Sequence, residues 1–347
     1  MKAITTEKNL KQAWRDLLET EPKLRIRDAA LKLGASEAEL LATNCGESVT
    51  RIEGNFGQVI VDFGRLGRVM ALTRNETVVH ERKGEYSKVE LMPEHNNMGQ
   101  VLNEGIDLRL FMNAWRHGFA ITEEKRRSFQ FFDVSGAAIH KVFLQPESNE
   151  MAFSEIVEKY RSPNQSTELQ TEPKPAKPVE KPDSEIDIIT FRSRWAAMKD
   201  THEFFGLTRQ FGVGREQALR LADKDAAYKV EKTSYRTVLE IAAKEQIKIM
   251  VFVGNDGVIQ IHSGEVNKVL LHGEWFNVMD PDFNLHIYEP NIVRSWVVRK
   301  PTVDGLVSSL ELYDDKGENV ALFFSKRRPG ETESGEWKKL LAHLPFE

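Results

Sequence analysis

The sequence predicts an α+β fold built as a tandem structural repeat, each half made of helices packed on a large antiparallel β-sheet. Three observations predict it. The first is an internal repeat. VMALTRNETVVHERKGEYSKVEL, from Val69, aligns with IMVFVGNDGVIQIHSGEVNKVLL, from Ile249, so Asn75, Gly84 and Lys88 stand opposite Asn255, Gly264 and Lys268 at a constant spacing of 180 residues. IDLRLF (106–111) pairs with FNLHIY (283–288), and SFQFFDVSGAAIHKVF with SLELYDDKGENVALFF, which sets Asp133-x-x-Gly136 against Asp314-x-x-Gly317. Trp14 and Trp195 anchor the two starts. Two long copies read as a pair of duplicated domains and not as a solenoid. The second observation is the order of elements, helices first and then hairpin-linked strands. The third is a segment between the copies that is poor in apolar residues.

Within the first copy, helices are predicted at residues 9–19, 25–33 and 36–43, and a fourth near 58–66. Strands follow at 69–73 and 77–82 around a turn-like break at 74–76. In the second copy, strands at 251–253 and 258–262 flank Gly254-Asn255-Asp256-Gly257, a strong hairpin signal. Later strands are predicted at 107–111, 128–132 and 139–144. Between the copies, residues 162–185 hold Pro163, Pro173, Pro175, Pro178 and Pro182 with Lys and Glu among them. Such a run carries too little apolar surface to pack and reads as an extended, semi-rigid linker. The expected division is therefore 1–161, linker 162–186, and 187–347.

The 347 residues suffice for two ordinary domains, and 40% hydrophobic with 29% charged residues fits a globular chain. A net charge of −5 argues against a protein built chiefly to hold nucleic acid. The single cysteine, Cys45, rules out an intramolecular disulfide and a thiolate metal cluster, and suits a reducing cytoplasm. The charged start, MKAITTEKNLKQAWRD, lacks the apolar core of a signal peptide, and no run of about 18 apolar residues occurs, so no membrane insertion is expected. RDAALKLGASEAEL (27–40) looks like a helix-turn-helix, with Gly34 at the turn and Ser36 and Glu39 as a capping box. Its second helix offers Glu37 and Glu39 but no Lys or Arg toward a groove, so it reads as structural packing and not as a DNA reader.

No nucleophile elbow, no phosphate-binding Gly-Lys loop and no His-Glu-x-x-His occurs. The nine histidines are not spaced as a metal cage. One of them still stands out. Read as one helix, WAAMKDTHEFFGL (195–207) places Trp195, Met198, His202 and Phe205 on a single face. An imidazole in an apolar stripe is either a core histidine or an axial ligand to haem iron, where flat aromatic and thioether neighbours suit a porphyrin. By strand alternation Ile106, Leu108 and Leu110 face the core, while Asp107, Arg109 and Phe111 share the other face. Arg109 is there either a surface group paired with Asp107 or a distal hydrogen-bond donor to a ligand on iron.

Over both repeats and the linker, the chain resembles the bacterial HemS/ChuS family of cytoplasmic haem-handling proteins. DLRLFMNAW (107–115), QFFDVSGAAIHKV (130–142), MKDTHEFF (198–205), IMVFVGNDGVIQI (249–261) and WVVRKPTVDGLVSSLEL (296–312) carry the resemblance together. It implies haem held in a cleft between the halves, His202 as axial ligand to the iron and Arg109 as distal arginine. A second arginine over the haem falls on Arg327 in FFSKRRPG, with Arg328 its neighbouring alternative. Arg215 and Lys300 would face the propionates, against their default reading as solvated surface. Phe111, Phe205 and Phe252 would be pocket wall, and His80 a second, weaker haem-contacting histidine. The repeat partners of His80, His202 and Arg109 are Gln260, Glu21 and His286, so the copies are not equivalent. Some members carry a tyrosine where this chain has Phe324. The activity implied is oxidative haem degradation with electrons from an external donor. The alternative is a carrier that takes haem from an inner-membrane importer and passes it to a haem oxygenase.

Overall fold

The structure, a computed structural model, describes residues 7–124, 126–328 and 330–347. Part of the charged N-terminal run discussed above, residues 1–6, and Pro329 of FFSKRRPG lie outside the described residues. The chain divides into two units. Unit 1 comprises Met1–Arg74, Glu81–Ala176 and Asn255–Gln260, and unit 2 comprises Asn75–His80, Lys177–Gly254 and Ile261–Glu347.

Unit 1 begins with helices Glu7–Thr20, Ile26–Leu33 and Glu37–Ala42. Their small inner residues Ala29 and Ala30 pack with Leu40 against Trp14 and Leu17. Gly34 closes the second helix with φ +67°, a conformation that suits a residue without a Cβ. Ser36 then accepts from the Glu39 amide while Glu39 accepts from the Ser36 amide, which restarts the chain as a helix. Glu37, Ala38, Leu40, Leu41 and Ala42 of that helix are all buried. The strands run antiparallel in the order Val49–Ile52, His117–Glu123, Arg126–Phe132, Ala138–Leu144 and Val69–Arg74. A meander of Val89–Met92, Met98–Leu102 and Asp107–Phe111 completes the unit. Helices Phe56–Asp62 and Glu150–Tyr160 join Phe63, Phe129, Phe131 and Phe153 in one core. Phe63 and Phe153 each lie 4.8 Å from Phe129. Burying each such ring contributes about 1.5–3 kcal/mol.

Unit 2 repeats this plan. Helices Ile188–Ala196, Glu203–Phe211 and Arg215–Leu221 come first. Strands Ala227–Val230, Arg294–Thr302, Gly305–Tyr313, Asn319–Ser325 and Ile249–Gly254 follow in the same antiparallel order. The meander is Val269–His272, Trp275–Met279 and Phe283–Tyr288. Even irregularities recur, since the register shifts at Phe131/Phe132 and again at Leu312/Tyr313. In the turns that follow, Asp133 accepts from the amides of Ser135 and Ala137, and Asp314 from those of Lys316 and Glu318. Gly136 and Gly317 sit there at φ +76° and +75°, which explains the repeated Asp-x-x-Gly.

The segment from 162 onward runs extended but does pack, contrary to its reading as a segment unable to do so. Hydrogen bonds hold most of it, and Leu169 packs against the unit 1 core. The Arg51 guanidinium donates to the carbonyls of Ser166 and Glu168, Gln165 pairs with the Arg51 backbone, and the Glu172 amide donates to the Val134 carbonyl. Lys174 lies 2.9 Å from both Asp133 and Asp256. Farther on, Gln217 donates to the Lys181 carbonyl and to Asp183. No helix of the described residues is long and apolar enough to cross a membrane, and no group of three or more potential metal ligands occurs among them.

Candidate functional site

The stretch around His202 is not one helix. Helix Ile188–Ala196 ends and helix Glu203–Phe211 begins anew, with a turn between them. The cause is Asp200, whose Oδ1 accepts from the His202 amide at 2.7 Å and so competes with the helical backbone pattern. The single face predicted for Trp195, Met198, His202 and Phe205 is therefore broken. Trp195 and Met198 turn into the core, and Phe204, not Phe205, packs on the Trp195 ring at 5.1 Å. The side chain of His202 is left 94% exposed, and Phe205 is 72% exposed. His202 is thus not a core histidine.

The same Asp200 oxygen lies 2.6 Å from His202 Nδ1. A carboxylate accepts only, so this contact fixes the proton on Nδ1 and leaves Nε2 with its lone pair outward. This is how a metal-binding imidazole is held by a carboxylate partner. The His202 hydrogen bonds, aided by the charge of Arg327, keep the Asp200 carboxyl below its ordinary range. Arg327 is itself largely buried beside Asp304, 3.9 Å away, and donates to the Glu331 carbonyl, while the Arg328 amide donates to the Glu331 carboxylate. The Val303 amide donates to the Lys199 carbonyl, tying the tip of the hairpin to the His202 turn.

Behind this turn lies a buried charge cluster. Glu311, fully buried, accepts from Arg215 Nε and Nη2 at 2.9 and 2.8 Å, Lys300 Nζ at 3.0 Å, Ser309 Oγ at 3.1 Å and Tyr313 Oη at 2.7 Å. Burial opposes its charge, but Arg215 and Lys300 overcome that and hold the carboxyl far below the carboxylate range. Burial lowers Lys300 to about 8 despite Glu311. The default reading of Lys300 as solvated surface is therefore wrong, because its pairing with Glu311 lets the residue be only 4% exposed. Two cations against one carboxylate leave a net positive charge. Its outlet is Arg215, whose side chain is 34% exposed, and both cations lie over the Phe204 ring, at 5.2 Å for Arg215 and 4.4 Å for Lys300.

In unit 1, Leu108 and Leu110 are buried and Asp107, Arg109 and Phe111 alternate with them. The Arg109 guanidinium is paired with Asp107 and also donates to the Leu108 carbonyl at 3.1 Å. Burial raises the Asp107 carboxyl, against the pull of Arg109. Phe252, in unit 2, stands edge-on to Phe324 at 5.1 Å, so the residue at the expected tyrosine position is part of an aromatic pair. His80 is fully buried with its ring 5.0 Å from Phe283, which leaves it no open face for a large flat ligand in this state. Sequence reasoning missed Asp200 and Glu311. The signals were present: Asp200 precedes His202 by two residues, and Ser309, Glu311 and Tyr313 alternate with Leu310 and Leu312 on one strand face.

A model of the Haemin-degrading HemS.ChuX domain matches residues 34–160 and again 212–344. The chain is 37% identical over 328 residues to Hemin transport protein HemS of Yersinia enterocolitica, covering 93% of each chain. Among solved structures it is similar to holo-PhuS, a heme-binding protein from Pseudomonas aeruginosa, at 41% identity and TM-score 0.96, covering 99% of this chain and 100% of that one. It is also similar to ChuS, an E. coli heme oxygenase, at 33% identity and TM-score 0.86, covering 97% and 99%.

Proposed function

The chain belongs to the Haemin-degrading HemS.ChuX domain family, and we propose that it is a cytoplasmic protein that binds haem as its substrate and opens it oxidatively to release iron. The observation that carries this reading is the exposed His202 imidazole with its Nδ1 tied to Asp200. Chemically, that arrangement supplies one neutral nitrogen donor to a metal whose other ligands come from a macrocycle. The exposed Phe205 ring suits the porphyrin plane. The net positive cluster suits its carboxylate edge, with Arg215 as the group that reaches solvent and Lys300 and Glu311 fixing its position. Arg109 is assigned to hydrogen bonding on the reacting face, with Arg327 as a second cation near the iron ligand, and Phe111 and Phe252 to the wall. The haem iron and dioxygen supply the oxidative chemistry, electrons come from an external donor, and the protein holds and orients.

Carriage without turnover is the second reading. The 94% exposure of His202 favours it, since a ligand this open is suited to exchange with a partner. Among the similar structures one is a heme-binding protein and another a heme oxygenase. The test is a titration of the protein with ferric haem, followed by ascorbate in air with catalase present. A Soret band that saturates at one haem per chain and then decays to a tetrapyrrole with free iron fits degradation. A saturable band that persists after reduction fits carriage. Absence of any saturable band contradicts both.

A further inference from the structure

A cavity of about 310 Å³ in unit 1 is lined by Arg51, Phe56, Trp115, Arg116, His117 and Leu169 among others, none of which the haem reading uses except as neighbours in sequence. Two of its lining residues carry a buried nitrogen without a hydrogen-bond partner, Arg51 Nε and His117 Nε2. Buried polar atoms are rarely left so, because each then bears its full desolvation cost.

The second copy of the repeat shows what these positions ordinarily meet. Arg51 stands opposite Phe119 in the sheet as Lys229 stands opposite Trp296, and each cation lies over its aromatic partner, at 5.9 and 5.7 Å. His117 stands opposite Phe132 as Arg294 stands opposite Tyr313. In unit 2 both cations meet a carboxylate. Lys229 has Glu347 at 3.8 Å, and Arg294 is paired with Glu216. In unit 1 neither carboxylate has a counterpart. Ala38 occupies the helix position matching Glu216, one residue after the start of each helix. The edge that holds the C-terminal residues in unit 2, where Val230 bridges Phe346, holds the backbone leading into the linker in unit 1, where Ile52 bridges Arg161. The one carboxylate among the lining residues, Glu53, accepts from the Ser162 hydroxyl at 2.5 Å. Arg116 is exposed and adds a second guanidinium. Burial, Arg116 and Arg51 hold the His117 imidazole below its ordinary range, outweighing the opposite pull of Asp133 and of a hydrogen bond to the Val134 backbone.

We propose that this cavity binds a small oxyanion, an organic carboxylate or a phosphate, on Arg51, Arg116 and His117 beneath the linker at Leu169. The anion takes the place that Glu216 and Glu347 fill in unit 2, and the Phe56 and Trp115 rings accommodate a short apolar body on it. The test follows the His117 ring signals by NMR in the full haem-free chain during titration with inorganic phosphate in one arm and benzoate in the other. The expected result is a saturable shift of His117 in at least one arm, with its titration moved to higher pH because a bound anion favours the imidazolium. Saturation by phosphate alone identifies an inorganic source, and saturation by benzoate an organic one. Arg116→Ala, at an exposed position, should weaken binding about tenfold while leaving the haem titration unchanged. No saturable shift of His117 up to about 20 mM of either anion, or equal affinity in R116A, overturns the proposal.

Discussion

The two units place a buried charge cluster under the same helix start, with the signs exchanged. At the first position of helix Glu37–Ala42 stands a carboxylate, which accepts from Arg74 and Lys141. At the first position of helix Arg215–Leu221 stands a guanidinium, which donates to Glu311 beside Lys300. Both clusters hold two cations and one carboxylate. A carboxylate at a helix start is favoured by the helix dipole, and an arginine there is not. Unit 1 therefore has the cheaper arrangement, and it is closed: Glu37, Arg74 and Lys141 are all largely buried. Unit 2 keeps the costlier one and leaves the Arg215 side chain about a third exposed. Divergence after duplication turned one cluster into packing and left the other a cation presented to solvent, on the unit that also exposes His202.

Removing each cluster's carboxylate breaks the comparison most strongly. Glu311→Gln and Glu37→Gln each leave two buried cations short of their partner and should cost about 3–5 kcal/mol in denaturant unfolding. Only Glu311→Gln should also weaken haem binding. Both carboxyls are held below their unfolded value. Their stabilisation is thus present above about pH 4.3 and lost as pH falls through the folded values, so wild type and variants should converge in acid. Lys300 gives a slope of the same sign in a more alkaline window. With its folded value near 8, the unfolded chain binds the extra proton between about pH 8 and 10.4. Wild type should gain stability over Lys300→Met as pH rises through that window.

A smaller effect is expected inside unit 1. His140 is buried between Thr73 Oγ1 at 2.9 Å and Tyr86 Oη at 2.5 Å, and burial lowers it to about 3. Tyr86→Phe strips one partner and should cost about 1–3 kcal/mol without moving the haem titration. The smallest effect is at the linker. Lys174→Ala removes two ion pairs of a half-exposed amine, one to exposed Asp256 and one to buried Asp133, worth together about 1 kcal/mol. It should leave the melting temperature nearly unchanged while speeding proteolysis between residues 170 and 180.

What could be read in the sequence depended on how local its cause was. Strand Asp107–Phe111 was legible to the residue because alternation alone sets it. The Asp-x-x-Gly turns and the Ser36–Glu39 capping box were legible for the same reason. The stretch around His202 was not, since a hydrophobic pattern at helical spacing continues through Asp200, and only the competition of that carboxylate for backbone amides breaks it. The linker's attachment was hidden because hydrogen bonds, invisible to hydropathy, hold it. Lys300 and Glu311 were hidden for a related reason: a buried charge looks like a surface charge until its partner, 11 residues away, is known. The pairing of Arg109 with Asp107, by contrast, lay in plain view two residues apart.

The central claim is that His202, held by Asp200, is the nitrogen that binds haem iron. The most direct measurement is the absorption titration with ferric haem of wild type, His202→Ala and Asp200→Asn side by side. The account predicts a saturable one-to-one Soret band in wild type, its displacement or loss in His202→Ala, and a retained but weaker complex in Asp200→Asn, by about 10–100-fold. An unchanged band position and affinity in His202→Ala would contradict it.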